Sequence, residues 1–176
     1  MIDTEWFRLK KDPAAPFVET AGFDKNKFPY ITDAASFANV DDGVVFYERE
    51  KFSPCDILFD PTFLIGDRLQ SLFKLLEPAI EYKGVQLYRK LKPADAPRPL
   101  YWLPYLPCVD AIGTKSKIFQ GKAIRLVVNY SALRGRRVAH CKLPADDIWL
   151  LSLEAAECLL RRQPIGILLE KVFSQP

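Results

Sequence analysis

Two stretches of the chain carry the same order of strand, helix, proline and strand. One reads CDILFDPTFLIGDRLQSLFKLLEPAIEYKGVQL from Cys55, and the other reads CKLPADDIWLLSLEAAECLLRRQPIGILLEKVF from Cys141. At an offset of 86 residues the two cysteines coincide, and so do Pro78 and Pro164. This register predicts two similar β-α-β units, which arise either from an internal duplication or from convergence on a pattern common in α/β proteins.

The first stretch contains the clearest helix signal in the chain. A short apolar segment, 63–65, is typical of a strand, and the apolar residues that follow recur at i, i+3, i+4 and i+7. We predict a helix over 67–76, with Asp67 capping its first turn and Pro78 ending it. The predicted buried face consists of Leu69, Leu72, Phe73 and Leu76.

The second stretch repeats the transition from strand to helix. Ser152 precedes an apolar periodic segment and is a good N-cap, which predicts a helix over 153–162. The predicted buried face consists of Leu153, Ala156, Leu159 and Leu160.

Further β-branched and aromatic runs predict strands outside these helices. They cover 43–50, 80–90, 123–130 and 138–143, and the last two are predicted to pair as a hairpin. The overall prediction is an α+β fold with one or two mixed sheets. Its parts are an irregular N-terminal segment 1–42, a first β-α-β unit 43–92, a connector 93–114 rich in proline and aromatic residues, and a second unit 115–176 made of a hairpin and a β-α-β unit, together forming one compact domain.

Composition limits the possible partners. The formal net charge is +3, from 25 Lys and Arg against 22 Asp and Glu, so the sequence does not call for a nucleic acid partner. No apolar run reaches the roughly 20 residues of a membrane helix, and the N-terminus lacks the pattern of a signal peptide. We therefore expect a cytoplasmic protein without membrane association.

The residues that usually carry catalysis or bind metals are few and scattered. Four cysteines, widely separated in sequence, accompany the single histidine His140. This spacing predicts reduced thiols, no metal site and no cofactor. His140 and Cys141 would point to opposite faces of one strand, so they would not form a catalytic pair, and we expect no catalytic residues.

Two other features are candidates for binding a partner. The run PLYWLPYLPCVDAI at 99–112 contains Tyr101, Trp102 and Tyr105, which either pack between the two units or form an exposed recognition surface. For Trp102 we expect the buried position.

The second candidate is a basic turn. Arg134, Arg136 and Arg137 lie in the segment RGRR, which is either a solvated turn or a site for an acidic protein surface or a phosphate. We predict the arginine turn as the docking site, with Tyr101 and Tyr105 as further partner-binding residues.

The order of these pieces resembles a family of small bacterial proteins, grouped as the eleventh class of polymorphic-toxin immunity proteins. The similar segments include LYWLP, then IRLVV, WLLSLEAAECLLRR and GILLEKV, and the resemblance covers about residues 56–173. It implies a non-enzymatic protein that binds and neutralises a cognate toxin in the producing cell. Because the chain is slightly basic, a toxin with a basic nucleic-acid site is the less favoured target.

Two alternatives of other classes remain open at this point. The protein is an accessory or structural module of a bacterial secretion or phage-like system, or it is an enzyme with an unrecognised site. A toxin reading frame next to the gene would favour immunity, whereas a deep pocket with converging polar groups would favour an enzyme.

Overall fold

The computed structural model describes residues 5–14, 20–21, 31, 33–41, 44–48, 55–60, 62–89 and 99–175. The strands are Trp6–Lys11 (β1), Thr20–Ala21 (β2), Val44–Glu48 (β3), Ile57–Leu58 (β4), Leu64–Gly66 (β5), Glu81–Arg89 (β6), Leu100–Tyr105 (β7), Lys117–Phe119 (β8), Lys122–Arg125 (β9), Val127–Asn129 (β10), Val138–Leu143 (β11), Asp146–Ser152 (β12) and Ile167–Gln175 (β13). The helices are Ala34–Ala38 (α1), Asp67–Leu76 (α2), Tyr130–Leu133 (α3) and Leu153–Leu160 (α4). The predicted α+β class is confirmed.

Two mixed sheets are built on one topology. The first lobe has the strand order β2-β3-β6-β7-β5-β4, and the second lobe has the order β10-β13-β1-β12-β11. In each, a parallel pair is followed by antiparallel neighbours, and the sheet ends in an antiparallel pair, which is short in the first lobe and six residues long in the second. Helix α2 connects β5 to β6 across β7, and α4 connects β12 to β13 across β1. The two similar β-α-β units predicted from the sequence are therefore present.

The register of 86 residues holds in the backbone. Helices α2 and α4 begin at Asp67 and Leu153, and the strands that follow them, β6 and β13, begin and end 86 residues apart. Helix α4 ends at Leu160, two residues before the predicted end.

The central strand of each sheet comes from a different part of the chain. In the first lobe, β7 follows β6 and pairs with β6 and β5. In the second lobe, β1 from the N-terminal segment takes the corresponding place between β12 and β13. The predictions of an irregular segment at 1–42 and of a connector at 93–114 miss these roles, because each segment contains a strand that its sheet needs for hydrogen bonding.

One apolar core joins the lobes. It contains side chains from α2, α4 and both sheets, including the four residues predicted for the buried face of α2. Phe63 and Trp149, which occupy equivalent positions in the repeat, stack on each other with ring centroids 4.6 Å apart.

The buried face of α4 differs from the prediction. Ala156 and Leu159 are buried as expected, but Leu153 and Leu160 are exposed and Ala155 is buried instead. The small alanines suit the side that faces α2, where large side chains such as Phe73 already fill the space.

The loop after α4 is tied to the first lobe by polar contacts. The guanidinium of Arg68 binds both carboxylate oxygens of Asp56 at 2.9 and 2.6 Å and donates to the carbonyl oxygen of Arg162 at 2.8 Å. The backbone N–H of Ile165 donates to the same carboxylate at 2.6 Å. These bonds fix the two lobes against each other beside the shared core.

The outer face of each sheet has its own cover. Helix α1 contributes Phe37 to the outer core of the first lobe. In the second lobe, the segment 106–113 crosses between the sheet edges, with bridges from Cys108 to β11 and from Ile112 to β10. Ala111 of this segment and Leu133 of α3 are buried in that outer core.

The predicted hairpin between 123–130 and 138–143 is wrong. The first segment splits into β9, which pairs with β8, and β10, which pairs in parallel with β13. The second segment matches β11, which pairs with β12. Residues 117–152 thus contain two hairpins, β8–β9 and β11–β12, because each of these pairs is joined by a turn of only a few residues.

One of the two predicted helix caps is confirmed. Ser152 caps α4, since its side-chain oxygen accepts from the N–H of Ala155 at 3.3 Å. The cap of α2 is Gly66 rather than Asp67, and no side chain bonds to the amides there. Asp67 is the first helical residue, and its carboxylate instead accepts from the indole N–H of Trp102 at 2.8 Å.

No helix in the described part of the chain is long and apolar enough to cross a membrane.

Candidate functional site

The predicted aromatic residues lie mainly in the first lobe. Tyr101 is 2% exposed, and its hydroxyl donates to the carbonyl oxygen of Cys55 at 2.6 Å. Tyr105 is half-buried and stacks on Phe37 with centroids 5.1 Å apart. The interpretation of Tyr101 as a partner-binding residue is wrong, because its ring and its hydroxyl both belong to the interior.

Trp102 does not occupy a buried junction between the two units. It is half-buried on β7, where it meets the edge of the Tyr82 ring and donates to Asp67. Both contacts belong to the first lobe. The prolines and aromatic residues of 99–112 therefore belong to strand β7 and to the segment that follows it.

The arginine turn is exposed, as a docking site requires. Arg134, Arg136 and Arg137 lie between α3 and β11, around Gly135 with a φ of 78°. Arg137 pairs with Glu154, with Nε and Oε2 3.0 Å apart. Within the described residues, neither Arg134 nor Arg136 has an ion-pair partner, so both cations remain available to an external acidic group.

A second exposed surface, which the sequence interpretation did not find, is the hairpin β8–β9. Gln120 and Gly121 have φ values of 48° and 75°, which is the geometry of a two-residue type I′ turn. Ile118, Phe119 and Ile124 are 49%, 61% and 69% exposed. The sequence does contain a signal for this hairpin, namely Gln120-Gly121 between two runs in which apolar and basic residues alternate. The prediction of a single strand over 123–130 misses it.

Buried polar contacts hold this hairpin on the second lobe. Arg8 of β1 and Asp146 of β12 form an ion pair at 2.6 Å, with both side chains almost entirely buried. The other carboxylate oxygen of Asp146 accepts from the backbone N–H of Ala123 at 3.0 Å. At the turn, Ala145 donates its N–H to the carbonyl oxygen of Gly121 at 3.1 Å.

The hairpin segment is strongly basic. Residues 114–125 contain four cations and no acidic residue. The cations are Lys115, Lys117, Lys122 and Arg125. The guanidinium of Arg125 lies over the ring of Phe173 on β13, 4.6 Å from its centroid, so the basic surface continues onto a further exposed aromatic ring.

A third cluster joins a cysteine, a histidine and an aspartate. The sulfur of Cys108 lies 3.5 Å from Nδ1 of His140, and Nε2 of His140 lies 2.5 Å from Oδ1 of Asp147. The His140 ring is buried and stacks on Trp149 with centroids 4.6 Å apart. Cys141 points into the opposite core, as predicted, so it does not pair with His140. The sequence analysis did not anticipate Cys108 and Asp147 as neighbours of His140.

The hydrogen bonds of His140 suit a structural role better than that of a base. Nδ1 lies 3.0 Å from the carbonyl oxygen of Leu106, which can only accept, so this contact is a hydrogen bond only when Nδ1 carries a proton. A general base facing Cys108 needs a free lone pair on this same nitrogen. Desolvation also raises the pKa of the Cys108 thiol, Lys142 lowers it, and Asp147 raises it. The cluster fastens the segment after β7 to the edge of the second sheet.

All four cysteines are free thiols. Burial raises the pKa of Cys141 to about 11, and burial together with Asp56 raises the pKa of Cys55. Among the described residues, no three His, Cys, Asp or Glu side chains lie close enough together to hold a metal ion.

No family model matches the chain, and no curated protein matches it.

Proposed function

We propose that this protein binds a cognate bacterial toxin and neutralises it through a stoichiometric complex in the cytoplasm of the producing cell. That the partner is a toxin is inferred from the resemblance of residues 56–173 to immunity proteins. That the protein acts by binding is inferred from the distribution of its exposed apolar side chains.

That distribution is the observation that carries the proposal. Of nine large hydrophobic side chains exposed among the described residues, eight lie between residues 118 and 173 and only Leu75 lies in the first lobe. Soluble proteins rarely expose large apolar patches unless these bind something. The second lobe therefore carries nearly all of the exposed apolar side chains with which the described part of the chain could bind a partner.

The histidine cluster favours one alternative, a thiol enzyme, because Cys108, His140 and Asp147 follow the order of a nucleophile, a base and an orienting acid. The proton that His140 donates to Leu106 opposes this alternative, as does the raised pKa of Cys108. We therefore assign the cluster to the fold and not to catalysis.

A dose experiment tests the proposal. The protein and the product of the reading frame immediately upstream of its gene are co-expressed at controlled ratios, and growth is measured. Stoichiometric neutralisation rescues growth at equal amounts, and excess toxin restores killing. Rescue far below equal amounts contradicts the proposal, because it requires turnover.

The variant Cys108→Ser provides the matched control for catalysis. Cys108 is exposed, so the replacement leaves the core intact. Unchanged rescue is expected for a binding protein, and lost rescue with unchanged folding supports the enzyme. An upstream frame that encodes a secretion or phage-like component instead of a toxin favours an accessory module.

A further inference from the structure

We infer that the hairpin β8–β9 is the docking surface for the toxin, and that the toxin offers it an apolar pocket with an acidic rim. The inference rests on the proposed function and adds the site and the chemistry of the partner.

The outward face of the hairpin combines apolar anchors with positive charge. Phe119 pairs directly with Lys122 across the turn, and Ile124 lies two residues along the same strand as Lys122. Since side chains alternate along a strand, Phe119 and Lys122 share one face, whereas Ile118 and Ala123 share the other. The register shifts between Lys117 and Ile118, but Ile124 also lies on the first face, because Lys122 and Ile124 are exposed while Ala123 between them packs on the outer core of the second lobe. An aromatic anchor beside a cation is typical of the residues that dominate binding energy at protein interfaces.

The charge of the hairpin selects an acidic partner. Its four cations are not balanced by any acid between residues 114 and 125. Complementary charge across an interface accelerates association and penalises partners of like charge. An acidic rim around the pocket that receives Phe119 would meet Lys117 and Lys122 without requiring that either be deeply buried.

The hairpin is also held in shape before it binds. The buried pair of Arg8 and Asp146 fixes its base, and the type I′ turn fixes its tip. A Cβ at Gly121 would approach the backbone nitrogen and Cβ of Ala145 to 3.1 Å, so the tip packs closely on the β11–β12 turn. A surface ordered in advance loses less conformational entropy on binding.

The mixed face argues for a protein and against other large partners. Nucleic acids are held by cations on phosphates and by aromatic stacking, whereas this hairpin exposes two aliphatic side chains, Ile118 and Ile124, for one aromatic ring of its own. The neighbouring ring of Phe173 already stacks against the guanidinium of Arg125. A membrane-surface segment separates its apolar and basic faces, whereas here Lys122 lies on the face of Phe119 and Ile124.

Binding to the purified product of the upstream reading frame tests the inference. Phe119→Ser and Lys122→Glu are compared with Leu75→Ser, an equally exposed apolar position on α2 of the first lobe, and with Arg136→Glu on the arginine turn. We expect Phe119→Ser to weaken the affinity by about 30-fold or more, as at an interface hot spot, and Leu75→Ser to leave it unchanged. Circular dichroism and thermal unfolding verify that each variant folds.

Salt dependence provides a second readout. The association rate of the wild type should fall as sodium chloride increases, and Lys122→Glu should bind more slowly and with a weaker dependence on salt. Duplex DNA and vesicles of anionic phospholipid are measured in parallel. Binding to either one that Phe119→Ser or Lys122→Glu abolishes would overturn the inference.

The outcomes separate the inference from the function on which it rests. If the wild type binds the upstream product and the hairpin variants bind equally well, the hairpin is not the docking surface. If Arg136→Glu alone weakens binding, the arginine turn is the site and the proposed function stands. If the wild type does not bind the upstream product, the proposed function and the inference both fail.

Discussion

The two lobes have the same sheet topology and the same spacing of helix and strand, but they obtain their central strand differently. The first lobe uses β7, which follows directly in the chain, and the second uses β1, which precedes everything else. In both lobes the central strand runs antiparallel to its two neighbours and satisfies their hydrogen bonds, and either source provides such a strand. The two lobes therefore share the position and direction of the central strand, whereas the part of the chain that supplies this strand differs between them.

The lobes also differ in what they expose. The first lobe places the aromatic residues of β7 in contact with its own core and with Asp67. The second lobe adds a hairpin outside its sheet and contains eight of the nine large apolar side chains that are exposed among the described residues. Under the proposed function, the same scaffold supports a mainly structural half and a half that binds the partner.

The largest expected effect tests whether the lobes are one folding unit. Trp149→Ala and Phe63→Ala each remove one ring from the stack between the lobes, and each should lower the free energy of unfolding by about 3–5 kcal/mol. Because the stack lies in the shared core, urea unfolding followed by fluorescence and by circular dichroism should give one coincident transition for both variants.

Leu75→Ala is the control, since that side chain is 74% exposed and its removal should change the free energy by less than about 0.5 kcal/mol. Two separated transitions, with each variant affecting only one of them, would contradict this prediction, because they would show that the lobes unfold as independent domains.

An intermediate effect concerns the equivalent cysteines in alkali. The folded pKa of Cys141 is about 11 against 9.0 for the free thiol, so its contribution to stability is complete below pH 9. That contribution is lost as the pH rises to 11, and two pKa units correspond to about 3 kcal/mol. The difference in unfolding free energy between wild type and Cys141→Ala should therefore decrease across this window.

Cys55→Ala should show the same sign, because burial also raises the pKa of that thiol. Taking differences from the wild type removes the contributions of the other titrating groups. A flat difference for Cys141→Ala would show that its thiolate is tolerated in the fold.

The smallest effect compares the two helix caps. Ser152→Ala removes the bond to the N–H of Ala155 and should cost about 1 kcal/mol, measured by urea unfolding. The reverse change in the first lobe, Gly66→Ser, should bring no gain, because a Cβ there would lie 3.0 Å from the carbonyl oxygen of Asp56. If the Gly66→Ser variant is more stable than the wild type, the backbone at Asp56 shifts easily to admit the Cβ, and the two cap positions are interchangeable.

Local signals predicted the parts of the fold that depend on neighbours in sequence. Helix α2 has the predicted bounds and buried face, because its apolar spacing and Pro78 act within a few residues. The spacing in α4 was ambiguous, since Leu153 and Leu160 fit a helical stripe as well as Ala155 does. Packing against α2 chose the face with the smaller side chains.

The candidate sites depended more on distant contacts. The exposed arginine turn was visible in the sequence, whereas the burial of Tyr101 followed from its place on a sheet strand. His140 meets Cys108 from 32 residues away, and that meeting requires the segment after β7 to pair with an edge strand. No periodicity within either segment indicates this pairing.

The sequence by itself determined two β-α-β units, their common register and the α+β class, because apolar periodicity, caps and prolines act over short distances. The tertiary structure decided which strands fill the centre of each sheet, which face of α4 is buried, and which apolar side chains remain exposed. These outcomes depend on hydrogen bonds and packing between segments far apart in the chain, as when β1 pairs with β13 more than 150 residues away. Local patterns do not encode such pairings, because any strand of suitable length and alternation can form the hydrogen bonds that a given sheet edge requires.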